Sequence, residues 1–132
     1  MATVAKSGIP SLSSVLPPQN CVIASGLKAG AAIAAGDLVY IGSAVTVLPS
    51  NGTSANAAAK CDGIAVKAAA SGEAVDVYRY VELRYGAGMT PGTRLYVQTT
   101  AGLISDTATT GGVAPIGFVV DATRIFIHGS HY

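Results

Sequence analysis

The stretch Ile33-Ala-Ala-Gly-Asp-Leu-Val-Tyr-Ile41 returns in altered form as Met89-Thr-Pro-Gly-Thr-Arg-Leu-Tyr-Val97. Gly36 aligns with Gly92 and Tyr40 with Tyr96. Farther along, Asp62-Gly-Ile-Ala-Val66 aligns with Ile116-Gly-Phe-Val-Val120 at nearly the same interval. A glycine free to take positive φ, followed by alternating apolar residues, is a recipe for a turn that feeds a β-strand. The unit therefore reads as an x-Gly turn, a strand ending in tyrosine, a hairpin return, a small-residue loop and a Gly-led strand with its continuation. Two copies, over about 30–85 and 86–128, imply a pseudo-symmetric β-fold.

Outward from the first copy, Val39-Tyr-Ile41 and Val45-Thr-Val-Leu48 flank Gly42-Ser43 as a hairpin, and Asn51-Gly52 signals a turn. Ser54 to Lys60 has the composition for one or two helical turns capped by Ser54. In the second copy the return strand is Gly102-Leu-Ile104, the loop runs from Asp106 to Pro115, and the last strand is Thr123 to His128. Ala74 to Tyr85 reads as the clearest strand of all, with period-two alternation. Val75, Val77, Val81, Leu83 and Tyr85 form its core face, with Arg79 as a charged intruder. The opposite face presents Tyr78 and Tyr80 beside Arg84, residue types favoured at protein interfaces. The same pattern also serves ordinary cross-strand pairing on a solvated face.

From Val22 onward, short strands alternate with Gly, Asn, Ser and Thr clusters, the signature of a small sandwich or barrel. The expectation is an all-β domain over 22–132 with at most one short helix, preceded by an extended N-terminal arm over 1–21. Pro10, Pro17 and Pro18 keep that arm out of helix. Its Ile9, Leu12, Val15 and Leu16 are too apolar for a wholly solvated tail, so it lies against its own domain or a neighbour; a disordered leader is the alternative.

Composition narrows the function. With 132 residues the chain suits one compact domain plus its arm, and with 6% aromatics the core must come from Val, Ile, Leu and Ala. Charged residues make up 11%, against roughly 25% in typical soluble domains, and the net charge is +1. Such a surface is unsuited to nucleic acid and is easiest to understand if partners cover much of it. The apolar stretch Ala29 to Ile41 is broken by Gly36-Asp37 and falls short of the ~20 residues that span a membrane. Ser7, Gly8 and Pro10 likewise interrupt any secretory leader, so no membrane partner is expected.

Catalytic chemistry has few carriers. Ser25 and Ser71 lie outside any G-x-S-x-G elbow, and nothing local activates Cys21 or Cys61, whose pairing the sequence leaves open. His128-x-x-His131 offers two ligands where a metal needs three or four, and the acidic residues are scattered singly. Gly86-Ala-Gly88 and Gly111-Gly112 lack the Lys-Ser/Thr of a phosphate loop. No catalytic residue, metal site or cofactor is expected, and the chain is not read as an enzyme.

Four phrases carry a resemblance: Ala34 to Ile41, Asp-Gly-Ile-Ala-Val-Lys-Ala-Ala-Ala-Ser-Gly-Glu-Ala-Val over 62–75, Met-Thr-Pro-Gly-Thr-Arg-Leu-Tyr-Val over 89–97, and Pro-Ile-Gly-Phe-Val-Val over 115–120. In their order and spacing they resemble the small capsid cement, or head decoration, proteins of tailed bacteriophages. The resemblance implies a structural virion protein, made in the host bacterial cytoplasm and added to the outer surface of the matured head. It implies the major capsid protein as partner and a homo-oligomer, with a trimer favoured. The arm lies outside the four phrases. Ile9, Pro10, Leu12, Val15, Leu16 and Pro17 are expected to bind the capsid by lying in a groove or adding a strand. On that expectation, deleting residues 2–20 abolishes head binding and leaves the domain folded. The alternative is a non-catalytic receptor- or glycan-binding β-module of a phage fibre, with Tyr78, Tyr80 and Tyr132 as its platform.

Overall fold

The computed structural model describes residues 3–12 and 22–130. Its strands are β1 (Ser11–Leu12), β2 (Val22–Ala29), β3 (Leu38–Ile41), β4 (Thr46–Pro49), β5 (Gly63–Ile64), β6 (Ala74–Tyr78), β7 (Val81–Arg84), β8 (Arg94–Val97), β9 (Ile104–Ser105), β10 (Gly117–Val119) and β11 (Arg124–Ile127). The chain is all-β, as its pattern predicts. Strands β2-β4-β3-β5-β6 close into a small barrel, and β1-β7-β11-β10-β8-β9 form a six-stranded sheet.

The five barrel strands match β7 to β11 of the sheet one for one, and β1 is additional. Each set has a tyrosine-bearing hairpin, β3–β4 in one and β8–β9 in the other. Val39 pairs with Gly63 in the first set, and Leu95 pairs with Gly117 in the second. Beyond them, Ile64 pairs with Tyr78 as Phe118 pairs with Phe126. The glycines at 63 and 117 are there for close approach: a Cβ on Gly63 would overlap the Tyr78 carbonyl oxygen, and one on Gly117 that of Phe126. Gly36 and Gly92 serve differently, taking φ of 82° and 84° in the turns that lead into β3 and β8.

Each unit also begins with a strand, β2 or β7, that the sequence repeat does not include. The unit therefore has five strands, and the change from one to the next falls at Arg79 and Tyr80 rather than at 85/86. The single strand expected over 74–85 is two, β6 and β7, divided where Tyr80 adopts φ 58°. Its alternation persists through the break because Val75 and Val77 fill the first barrel, whereas Val81, Leu83 and Tyr85 fill the second unit.

The first barrel is packed with small aliphatic groups, including Ala29, Ile33, Val39, Val47, Ala65 and Val77. Successive side chains on a strand point to opposite faces, so with Val39 and Ala65 inside, Leu38 and Ile64 point outward. There they join Cys61 in the core of the second unit, against residues that include Leu83, Leu95, Ile104, Ile125 and Ile127. One wall of the first barrel thus supplies part of the second core. Each large aliphatic side chain so buried contributes about 1.5–3 kcal/mol.

The first barrel closes on itself through a parallel β2–β4 pairing, Lys28 opposite Thr46. The second sheet has no equivalent pairing between β7 and β9, and the arm fills that seam. Thr3 bridges to Ser105, and the Val4 amide donates to the Ile104 carbonyl at 2.9 Å. The Ser7 amide donates to the Tyr85 carbonyl at 2.7 Å, and β1 pairs with β7 at Ser11–Arg84 and Leu12–Leu83. Residues 3–12 are therefore a working part of the second unit, so a deletion that includes them removes backbone pairing and core contacts from the domain itself. Val15, Leu16 and Pro17 lie outside the described residues.

The expected helix over 54–60 is a single 3-10 turn, Ala57–Ala59, and its cap is Asn56, whose side chain accepts from the Ala58 amide at 3.0 Å. Ser54 is not the cap. The flanking backbone is already committed elsewhere, with the Asn51 amide donating to the Ala58 carbonyl and the Ser50 hydroxyl to that of Lys60, which leaves no room for a second turn.

Candidate functional site

Three surface regions bear on function. The first is the seat of the arm. Lys6 Nζ donates to Asp37 Oδ1 at 2.9 Å, and Asp37 Oδ2 accepts the Ala34 amide at 2.9 Å, so the carboxylate links the arm to the Gly36 turn. The Pro10 ring covers Gly36 so closely that a Cβ there would overlap it. Of the arm residues expected to bind a capsid, Pro10 is buried and Leu12 packs on the second core, whereas Ile9 is 81% exposed. Ile9 and Pro10 border an open apolar hollow of about 490 Å³, completed by Ala34, Ala35, Val66 and Lys67.

The second region is the joint between the units. Tyr78, Tyr80 and Arg84 do not share one strand face here. Tyr78 is half-buried against the second core and also lines a hollow of about 290 Å³ with Lys67 and Asp76. Tyr80 is exposed, with the Arg79 guanidinium carbon 5.4 Å from its ring centroid. Arg79 Nε donates to the His128 carbonyl at 2.7 Å. Arg84 stands apart on the outer face of β7.

The third region, which the sequence reading missed, is that outer face of the second unit. Register places Glu82, Phe126, Phe118 and Arg94 in one row across β7, β11, β10 and β8. The chain contains two phenylalanines, and both are in this row, stacked with ring centroids 5.4 Å apart. Arg124 sits beside them, pairing with Glu82 through Nη1 at 2.9 Å and with Asp121 through Nε at 2.6 Å. The Arg124 hydrogen bond, reinforced by the Thr123 and Arg124 amides, holds the Asp121 carboxyl well below the usual carboxylate range. Arg84 and Arg94 have no carboxylate partner among the described residues. A signal for this face was available, because the repeat aligns Arg94 with Leu38 and Phe118 with Ile64.

Among the described residues, chemically reactive groups do not converge. Among the described residues, no three His, Cys, Asp or Glu side chains are grouped to hold a metal, and no helix is long and apolar enough to cross a membrane. His128 is half-buried, its Nδ1 2.9 Å from the Gly129 carbonyl. Cys61 is a fully buried free thiol whose burial pushes its pKa up to about 12. Because the proton binds more tightly in the folded state than in the unfolded chain, the group's contribution is intact below pH 9 and is lost as pH rises toward 12. Native protein is therefore expected to resist alkylation at Cys61 at pH 8 and to become labelled there on denaturation, as peptide mass mapping will read. The Tyr85 hydroxyl is also buried without a hydrogen-bond partner among the described residues, and burial raises its pKa. The chain matches no family model and no curated protein.

Proposed function

We propose that this chain is a structural virion protein that binds the outside of a tailed-phage head and joins neighbouring major capsid subunits, acting as a homo-oligomer with a trimer favoured. The observation that carries this reading is the exterior. Ile9, Val45, Tyr80, Val113 and Phe118 are 42–81% exposed on a chain with only 11% charged residues. Large exposed apolar groups on a weakly charged surface mark a protein that works covered by others. The four phrases that resemble decoration proteins support the same reading, since they fall on matching turns and strands of the two units. A cementing role also suits small contacts, because attachment to several shell subunits at once multiplies modest affinities.

Virions purified from the source provide the test, by quantifying this chain against the major capsid protein with mass spectrometry. The expected result is a copy number that is a simple symmetry fraction of the shell subunit's. Absence, or only a few copies per particle, overturns the proposal.

A further inference from the structure

The two units use the same outer row differently. In the first, Leu38, Ile64 and Tyr78 lie side by side across β3, β5 and β6, and all three pack into the second core. In the second, the matching positions on β8, β10 and β11 are Arg94, Phe118 and Phe126. No strand or loop of the described chain covers Arg94, which is exposed, or Phe118, which is 42% exposed, and Phe126 beside them is half-buried. A duplicated fold has thus kept a docking face in both copies and filled it once.

We propose that the Arg94–Phe118–Phe126 face docks a protein surface that offers an apolar strip bordered by carboxylates; on the function proposed above, that surface belongs to the shell subunit. The phenylalanine pair supplies the rigid apolar centre. Arg84 and Arg94, which lack carboxylate partners within the described chain, supply the rim, and the row spans about 14 Å at the usual strand spacing. Charge identifies the partner. Arg84, Arg94 and Arg124 against Glu82 and Asp121 leave the face net positive, so an acidic border completes it. A second copy does not fit this place. The core face of the second sheet that receives Leu38, Ile64 and Tyr78 is already filled in every copy by that copy's own first barrel, and two such outer faces brought together would set like charges against each other.

The test mixes full-length chain with heads purified without it and measures binding by co-sedimentation. Phe118→Ala and Arg94→Glu are each expected to weaken binding at least ~10-fold, while Lys28→Glu, exposed on β2 of the first barrel, binds like the parent chain. Thermal midpoints confirm folding, and Arg94→Glu leaves the aromatic pair in place should Phe118→Ala loosen the sheet. Parent chain that binds no heads overturns the proposed function and this docking face together. Parent chain that binds, with both face variants binding equally well, overturns the docking face alone. So does a change in the chain's own oligomeric state, without loss of head binding, on substituting Phe118.

Discussion

Removal of residues 2–12 is expected to lower unfolding stability on the order of 3–5 kcal/mol, a large share of the roughly 5–15 kcal/mol that holds a small domain together. The loss has three parts. Val4, Pro10 and Leu12 leave the second core and the Gly36 turn. The Val4 and Ser7 amides no longer satisfy the carbonyls of Ile104 and Tyr85, and β7 loses its β1 neighbour. Finally Asp37, whose side chain is only 10% exposed, loses Lys6 and keeps the Ala34 amide, and an uncompensated carboxylate in such a site is costly. Urea unfolding of the shortened chain against the parent measures the sum. An unchanged midpoint would show that the seam between β7 and β9 needs no strand. The result also decides how any binding defect of an arm deletion is interpreted, because a destabilised second unit would weaken attachment without the arm touching a partner.

The second large effect is expected at the paired glycines. Gly63→Ala and Gly117→Ala each place a Cβ against a carbonyl oxygen of the adjacent strand, that of Tyr78 or of Phe126. Backbone cannot step aside as a flexible side chain can, so the strands must part and ladder hydrogen bonds lengthen. A cost of about 3 kcal/mol or more is expected at each site, well above the ~1 kcal/mol or less that glycine-to-alanine exchange moves where the space is open. The near-equality of the two effects is itself part of the expectation, since the sites occupy the same place in the two units. Denaturation midpoints of both variants check it, and tolerance of alanine at either would mean that strand separation there is wider than described.

Much of this architecture was legible in the sequence, and the omissions have physical causes. Gly36 and Gly92 announced themselves because a positive φ demands glycine, and the hairpins followed from them. The equivalence of the opening strands β2 and β7 stayed hidden because pairing is made by backbone, which leaves Val22–Ala29 and Val81–Arg84 free to differ. Period-two alternation identified every buried residue between Val75 and Tyr85 yet could not reveal the break at Tyr80, for a residue that turns inward looks the same whichever core it enters. The arm's apolar residues left it either packed on something or a disordered leader; the unclosed seam of the second sheet shows where residues 3–12 lie. Phe118 and Phe126 were read as strand residues, and their outward direction follows from register across β10 and β11, a tertiary fact.

The seam also orders events during synthesis. Thr3 pairs with Ser105, and the Val4 amide reaches Ile104, so the arm leaves the ribosome long before the strand that will hold it exists. The first barrel can close as soon as β6 is made, but the arm waits for most of the remaining chain, and contacts so distant in sequence are slow to form. A partly made molecule therefore carries an unseated apolar strand beside an unfinished sheet. A segment made ahead of both units is among the last to be fixed.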